Sequence, residues 1–158
     1  MLVAEEVVKM VIAVICLSFL VYLLATVYYS NADSQNKEKA QSVVDRIDEA
    51  VNAVSIDKST SFEITDVSPS GWNFFSFVGD DKKPNSCANE NCLCICEKVS
   101  FDDFLIWKDR QISKCDDDGV CLSVTELKKF ETFEIRPTGN GGTSVNVSYN
   151  GGIEIKEI

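Results

Sequence analysis

Residues 91–96 read Asn-Cys-Leu-Cys-Ile-Cys, which sets Cys92, Cys94 and Cys96 at every second position with Leu93 and Ile95 between them. Thiols in this pattern offer three chemistries: a thiolate metal site, a redox centre, or covalent cross-links. Cys87, Cys115 and Cys121 complete a group of six, while the seventh cysteine, Cys16, lies in an apolar run near the N-terminus and reads as a small packing residue. In a strand, side chains two apart share a face with Cβ atoms roughly 6 to 7 Å apart, against roughly 3.5 to 4.5 Å in a disulfide. Cys92, Cys94 and Cys96 are therefore not expected to pair with one another. Two arrangements stay open. Either all three find partners among Cys87, Cys115 and Cys121, or Cys115 and Cys121 close a small ring around DDDGV and leave two of the three unpaired.

The spacing fits metal sites poorly. Converging thiolates can hold zinc or an iron–sulfur cluster, but C-x-C-x-C with a distant Cys115 and Cys121 matches neither the usual CxxC pairs nor iron–sulfur spacings. A thioredoxin-like centre also needs CxxC. An even number of cysteines in a domain tethered to a membrane favours a disulfide framework.

The chain contains no histidine, which removes His-dependent triads, HExxH zinc sites and His-ligated haem. No pair of carboxylates marks an acid–base site, so the expectation is a non-enzymatic chain without cofactor or metal. Asp116, Asp117 and Asp118 precede Gly119, but the following VCLSVTEL does not complete an EF-hand, and a solvated turn is the simpler reading. TGNGGTS lacks the lysine of a phosphate-binding loop and reads as a hairpin turn. Asn146-Val147-Ser148 is a glycosylation sequon. A net charge of -10, with no basic stripe interleaved with aromatics, disfavours nucleic acid and points to protein or membrane partners.

The elements that must position these groups fall into two parts. Val7 to Tyr29 is apolar except for Lys9, and at 1.5 Å per residue it spans about 34 Å, enough for a hydrocarbon core of about 30 Å. Lys9 lies near the start of this run and can snorkel, while Tyr22, Tyr28 and Tyr29 suit the opposite interface. From Ala40 onward, Val43, Val44, Ile47, Ala50, Val51 and Val54 recur at spacings of three and four with charges between them, the pattern of a one-sided amphipathic helix. Asp33 or Ser34 can cap a fresh start there, yet the first proline is Pro69 and the first glycine Gly71, so one nearly continuous helix is the simpler expectation.

Residues 58–158 read as a cysteine-rich β head. Expected strands are 62–67, 72–78, 92–99, 104–108, 111–114, 120–124, 130–136, 144–149 and 153–157, with a short helical turn over 123–129. TGNGG and NGG then predict a C-terminal three-stranded meander. The expected class is α+β, with a long helix over 1–57 packed through Val43, Ile47, Val51 and Val54 on an antiparallel sheet domain with disulfides.

The opening MLVAEEVVKMVIAVICLSFLVYLLATVYYS, its amphipathic continuation and the disulfide-bearing β head resemble a type IV pilin or pilin-like filament subunit of the archaeal kind. The KPNSCANENCLCICEK segment is also similar to the heads of small archaeal membrane proteins. The pilin resemblance implies a helical homopolymer at the cell surface: the apolar half-helices leave the membrane to pack with copies of themselves, and the heads face outward for adhesion or surface contact. It also implies an assembly role for Glu5, which holds the fifth mature position if Met1 is the mature N-terminus. Glu6 and Lys9 join it as assembly candidates, Lys9 neutralising a carboxylate of its own chain or of a neighbour.

Read without the resemblance, Glu5 and Glu6 simply favour the helix macrodipole. No basic leader precedes the apolar run, so the chain is either a mature form or an ordinary anchor that begins at its own Met1. Two further functions stand beside the filament: a single-pass anchored binding protein, and a membrane-tethered thiolate metal or electron carrier. Lys37 and Lys39 follow the apolar run, and the positive-inside rule would set the head in the cytoplasm, against export.

Overall fold

The computed structural model describes residues 2–99 and 107–158. Helix α1, Leu2–Ile56, takes in both the apolar run and the amphipathic stretch, with helical backbone through residues 30–34 and no cap there. The chain divides into two compact units, Met1–Gln35 and Asn36–Ile158. The amphipathic half of α1 thus belongs to the head.

In the first unit, residues 4–24 are all exposed. By length and composition this helix is able to cross a membrane. Its hydroxyls at Ser18 and Thr26 donate to the carbonyls of Val14 and Tyr22, each at 2.8 Å, so neither needs a partner outside the helix.

The head holds two antiparallel sheets. One has the order β1-β6-β7, from Ser61–Ile64, Val145–Tyr149 and Ile153–Glu157; the other has the order β4-β3-β2-β5, from Val120–Ser123, Cys92–Glu97, Trp72–Phe77 and Phe133–Glu134. A second helix, α2, spans Trp107–Asp117. Ala40, Val43, Val44, Ile47, Ala50, Val51 and Val54 of α1 form one core with Trp72, Phe74, Leu93, Ile95, Val145, Val147, Ile153 and Ile155. The three-and-four spacing of the helix therefore meets the alternation of the strands, as the sequence pattern predicts. Phe74 stacks on Phe133 at 4.7 Å inside this layer.

Strand β3 is buried on both faces over residues 92–96. Leu93 and Ile95 join the core against α1, while Cys92, Cys94 and Cys96 join Phe75, Cys87 and Cys115 in a second buried cluster. One strand thus separates an aliphatic layer from a sulfur-rich one.

Several local expectations are corrected. Residues 111–114 are helical within α2; Trp107 and Lys108 also have α2 backbone, and residues 104–106 lie outside the described part. Over 130–136 only Phe133–Glu134 forms a strand, and it pairs with β2, so the C-terminal meander is replaced. Strands β6 and β7 do form the NGG hairpin, but the third strand on that sheet is β1, with Phe62 opposite Val147. The expected helical turn over 123–129 reduces to one turn closed by Leu127 N–H on the Val124 carbonyl at 3.1 Å, after which Leu127 bridges Ile153 in parallel sense.

Candidate functional site: the cysteine cluster and the apolar helix

All six head cysteines are paired, as Cys87–Cys92, Cys94–Cys121 and Cys96–Cys115. Each cysteine of β3 takes one partner from the other three, so the Cys115–Cys121 ring does not form. Register decides the matter. Antiparallel pairing of β3 with β4 sets Cys94 directly opposite Cys121, with Cα atoms 4.1 Å apart. Helix α2 carries Cys115 to Cys96, with Cα atoms 5.1 Å apart. The 3-10 turn Asn85–Cys87 delivers Cys87 to the start of β3, with Cα atoms 5.8 Å apart.

Two polar residues hold this frame. Gln111 is 3% exposed: its amide nitrogen donates to the Glu97 carbonyl at 3.0 Å and lies 3.5 Å from Cys96 Sγ, while its oxygen accepts from Val99 N–H at 2.9 Å. Asp116 accepts from the backbone N–H groups of Ser86 and Asn85 at 2.8 and 3.0 Å and from Asn85 Nδ2 at 2.6 Å. These hydrogen bonds, led by that from Ser86 N–H, hold the Asp116 carboxyl below its ordinary pKa. Two of the three carboxylates of the acidic triplet, those of Asp116 and Asp118, are therefore engaged within the head. Asp116 and Asp117 end α2, the Asp117 carbonyl accepts from Lys37 Nζ at 3.1 Å, and Asp118 pairs with Lys114 at 2.8 Å. This pairing, with Glu97 adding to it, raises the Lys114 pKa against the opposing effect of burial.

Gln111 and Asp116 escape a reading of the sequence because 111–114 looks like a strand there. Read as a helix, Gln111 and Cys115 fall four apart on one face, which is the signal that would have found Gln111. Gly119 is a further such residue: a Cβ there would lie 2.5 Å from the Cys115 carbonyl oxygen and 2.7 Å from Cys96 Cβ. Only glycine lets α2 turn into β4 this close to the Cys96–Cys115 bridge.

The remaining expected residues lie apart from the cysteines. Glu5 and Lys9 pair within the helix at 3.0 Å with both side chains exposed, and Glu6 makes no ion pair among the described residues. Cys16 is a free, exposed thiol. Asn146 is the half-buried second residue of β6, opposite Glu63 on one neighbour and Lys156 on the other.

The cleft between Phe75, Phe77, Gln111, Ile112 and Phe130 holds about 120 Å³, below the roughly 300 Å³ at which small-molecule sites begin, while a more open hollow lined by Glu131, Phe133, Glu154 and Lys156 holds about 500 Å³. The molecule is thus defined by a long N-terminal helix with a fully exposed apolar stretch and by an α+β head closed by three disulfides. No family model, curated protein or solved structure matches the chain.

Proposed function

We propose that this chain is a structural, non-enzymatic subunit of an extracellular filament of the archaeal type IV pilus kind. It is held in the membrane by its apolar N-terminal helix before assembly, polymerises through that helix, and displays the disulfide-stapled head for adhesion or surface contact. One observation carries the reading: the apolar stretch has no polar face, with Met10 72%, Leu17 63%, Phe19 60% and Leu24 71% exposed. Outside lipid such a helix must bury itself against like helices, and a heterologous contact that does not close builds an open helical polymer. The pairing of Glu5 with Lys9 lowers the charge that this end of the helix carries into an apolar core. Three disulfides suit a head that works outside the cell.

Electron microscopy of material sheared from cells making the protein tests this, with mass spectrometry to identify the filament subunit. Filaments carrying these residues are expected, and a chain beginning at Asn36 should be soluble and unable to form them. A preparation that yields only membrane-bound monomer would refute polymerisation and leave a single-pass anchored binding protein. Filaments formed without residues 1–35 would refute the helical core.

A further inference from the structure

The two disulfides at the start of β3 do more than cross-link: they gather three sulfurs and set a fourth beside one of them. The Sγ atoms of Cys87, Cys92 and Cys94 lie within 4.8 Å of one another, and the fourth sulfur, of Cys121, is bonded to Cys94. Across the two bridges, Cys94 Sγ is 3.9 Å from Cys87 Sγ and 4.0 Å from Cys92 Sγ. Zinc binds thiolate at about 2.3 Å in tetrahedral sites, which makes the sulfur–sulfur edge of such a site about 3.8 Å. The two non-bonded separations already have that length.

We infer that the reduced head binds a thiophilic divalent cation of the zinc type through Cys87, Cys92, Cys94 and Cys121, so that this corner of the fold exchanges two disulfides for one metal ion. In the exchange, two equivalents of a dithiol reductant open Cys87–Cys92 and Cys94–Cys121. Each reductant gives up two electrons and two protons and leaves as its own disulfide. The four thiols release four protons as they close on the cation.

Three features of the head suit this exchange. Cys87, Cys92 and Cys94 are 0% exposed and Cys121 is half-buried, so water is kept from three of the four ligands. Lys83 donates to the Asn89 carbonyl at 3.1 Å, placing a positive charge on the loop that enters β3, where a tetrathiolate zinc centre would carry net negative charge. Gln111 contacts both sulfurs of Cys96–Cys115, and the core against α1 contains no cysteine. That core does not depend on the bridges. A reducing stage also exists for any exported chain, since it is made in the cytoplasm, where thiols stay reduced. The inference does not depend on filament formation.

The test uses the full chain in detergent, reduced with a phosphine under nitrogen and titrated with Zn²⁺. One zinc per chain is expected, with recovery of the far-ultraviolet circular dichroism of the oxidised form. X-ray absorption of the reduced wild type should report about four sulfur neighbours at about 2.3 Å. Stoichiometric binding should be lost in Cys94→Ser and kept in the Cys96→Ser/Cys115→Ser double variant. Absence of stoichiometric zinc in the reduced wild type, zinc bound through fewer than three sulfurs, or undiminished binding by Cys94→Ser would each overturn the assignment. Should the double variant fold poorly, the absorption measurement and Cys94→Ser decide the matter without it.

Discussion

Removing Cys94–Cys121 and Cys96–Cys115, singly and together, should reveal a coupling that follows from how the two bridges nest. Taken alone, a bridge over 27 residues restricts the unfolded chain by about 3.5 kcal/mol, and one over 19 residues by about 3.2 kcal/mol. They are not alone. Cys96–Cys115 lies inside the loop of Cys94–Cys121, so when the inner bridge is closed the outer one spans a path of only about nine residues, and its loss costs about 2.6 kcal/mol. By the same cycle the inner bridge, removed first, costs about 2.3 kcal/mol, while loss of both costs about 6 kcal/mol. The double loss thus exceeds the two single losses together by about 1 kcal/mol. Equilibrium guanidinium unfolding of a chain beginning at Asn36 would measure this with Cys94→Ala/Cys121→Ala, Cys96→Ala/Cys115→Ala and the quadruple variant. For a unit of about 120 residues, each single loss corresponds to about 10 °C in melting temperature. Strict additivity, or single losses as large as those of the isolated loops, would refute the nested-loop reasoning.

Gly119→Ala should destabilise the head by about 1 to 3 kcal/mol, because the added methyl meets the Cys115 carbonyl and Cys96 Cβ; an unchanged thermal melt would show that α2 shifts freely. Ile47→Ala, at a wholly buried position on the stripe of α1, should cost about 2 to 5 kcal/mol in urea unfolding, and a loss under 1 kcal/mol would contradict its place in the core. Asp116→Asn should cost about 1 kcal/mol at neutral pH, since the amide replaces a charged acceptor of two backbone N–H groups. Because the folded-state pKa of Asp116 is depressed, its stabilisation is present above the unfolded value and is lost as pH falls through the folded value. The wild type should therefore lose stability across that acidic window and Asp116→Asn should lose less; parallel curves would count against the carboxylate's role.

What the sequence made legible follows the strength of each local pattern. The stripe from Ala40 to Val54 keeps helical period over four turns, and its burial against two sheets matches that period residue by residue. The alternation in 92–96 correctly separates thiols from Leu93 and Ile95. Helix α2 was hidden because WKDRQISKCDD shows few apolar residues at helical spacing and follows the β-rich FDDFLI. Segment 130–136 alternates like a strand, but at Phe130 a side chain takes the place of the ladder. Ser76 Oγ donates to the Phe130 carbonyl at 3.0 Å and accepts from its N–H at 3.2 Å, so pairing with β2 begins only at Phe133 and ends at Ile135, whose N–H donates to the Trp72 carbonyl at 2.7 Å. Disulfide connectivity was open on spacing alone, since the choice between a Cys115–Cys121 ring and three separate bridges depends on the β3–β4 register and on α2.

The hydroxyls that Ser18 and Thr26 turn back onto their own helix have a mechanical consequence. Between Lys9 and Tyr22, only the Cys16 thiol and the acceptor lone pairs of Ser18 Oγ are left to make a directional contact with a neighbour. Side chains that attract only by contact area do little to fix how far one helix has slid along another. In any bundle built on this segment, axial position would be set at its charged and aromatic ends. The stretch between them would yield under tension as a lubricated bearing does.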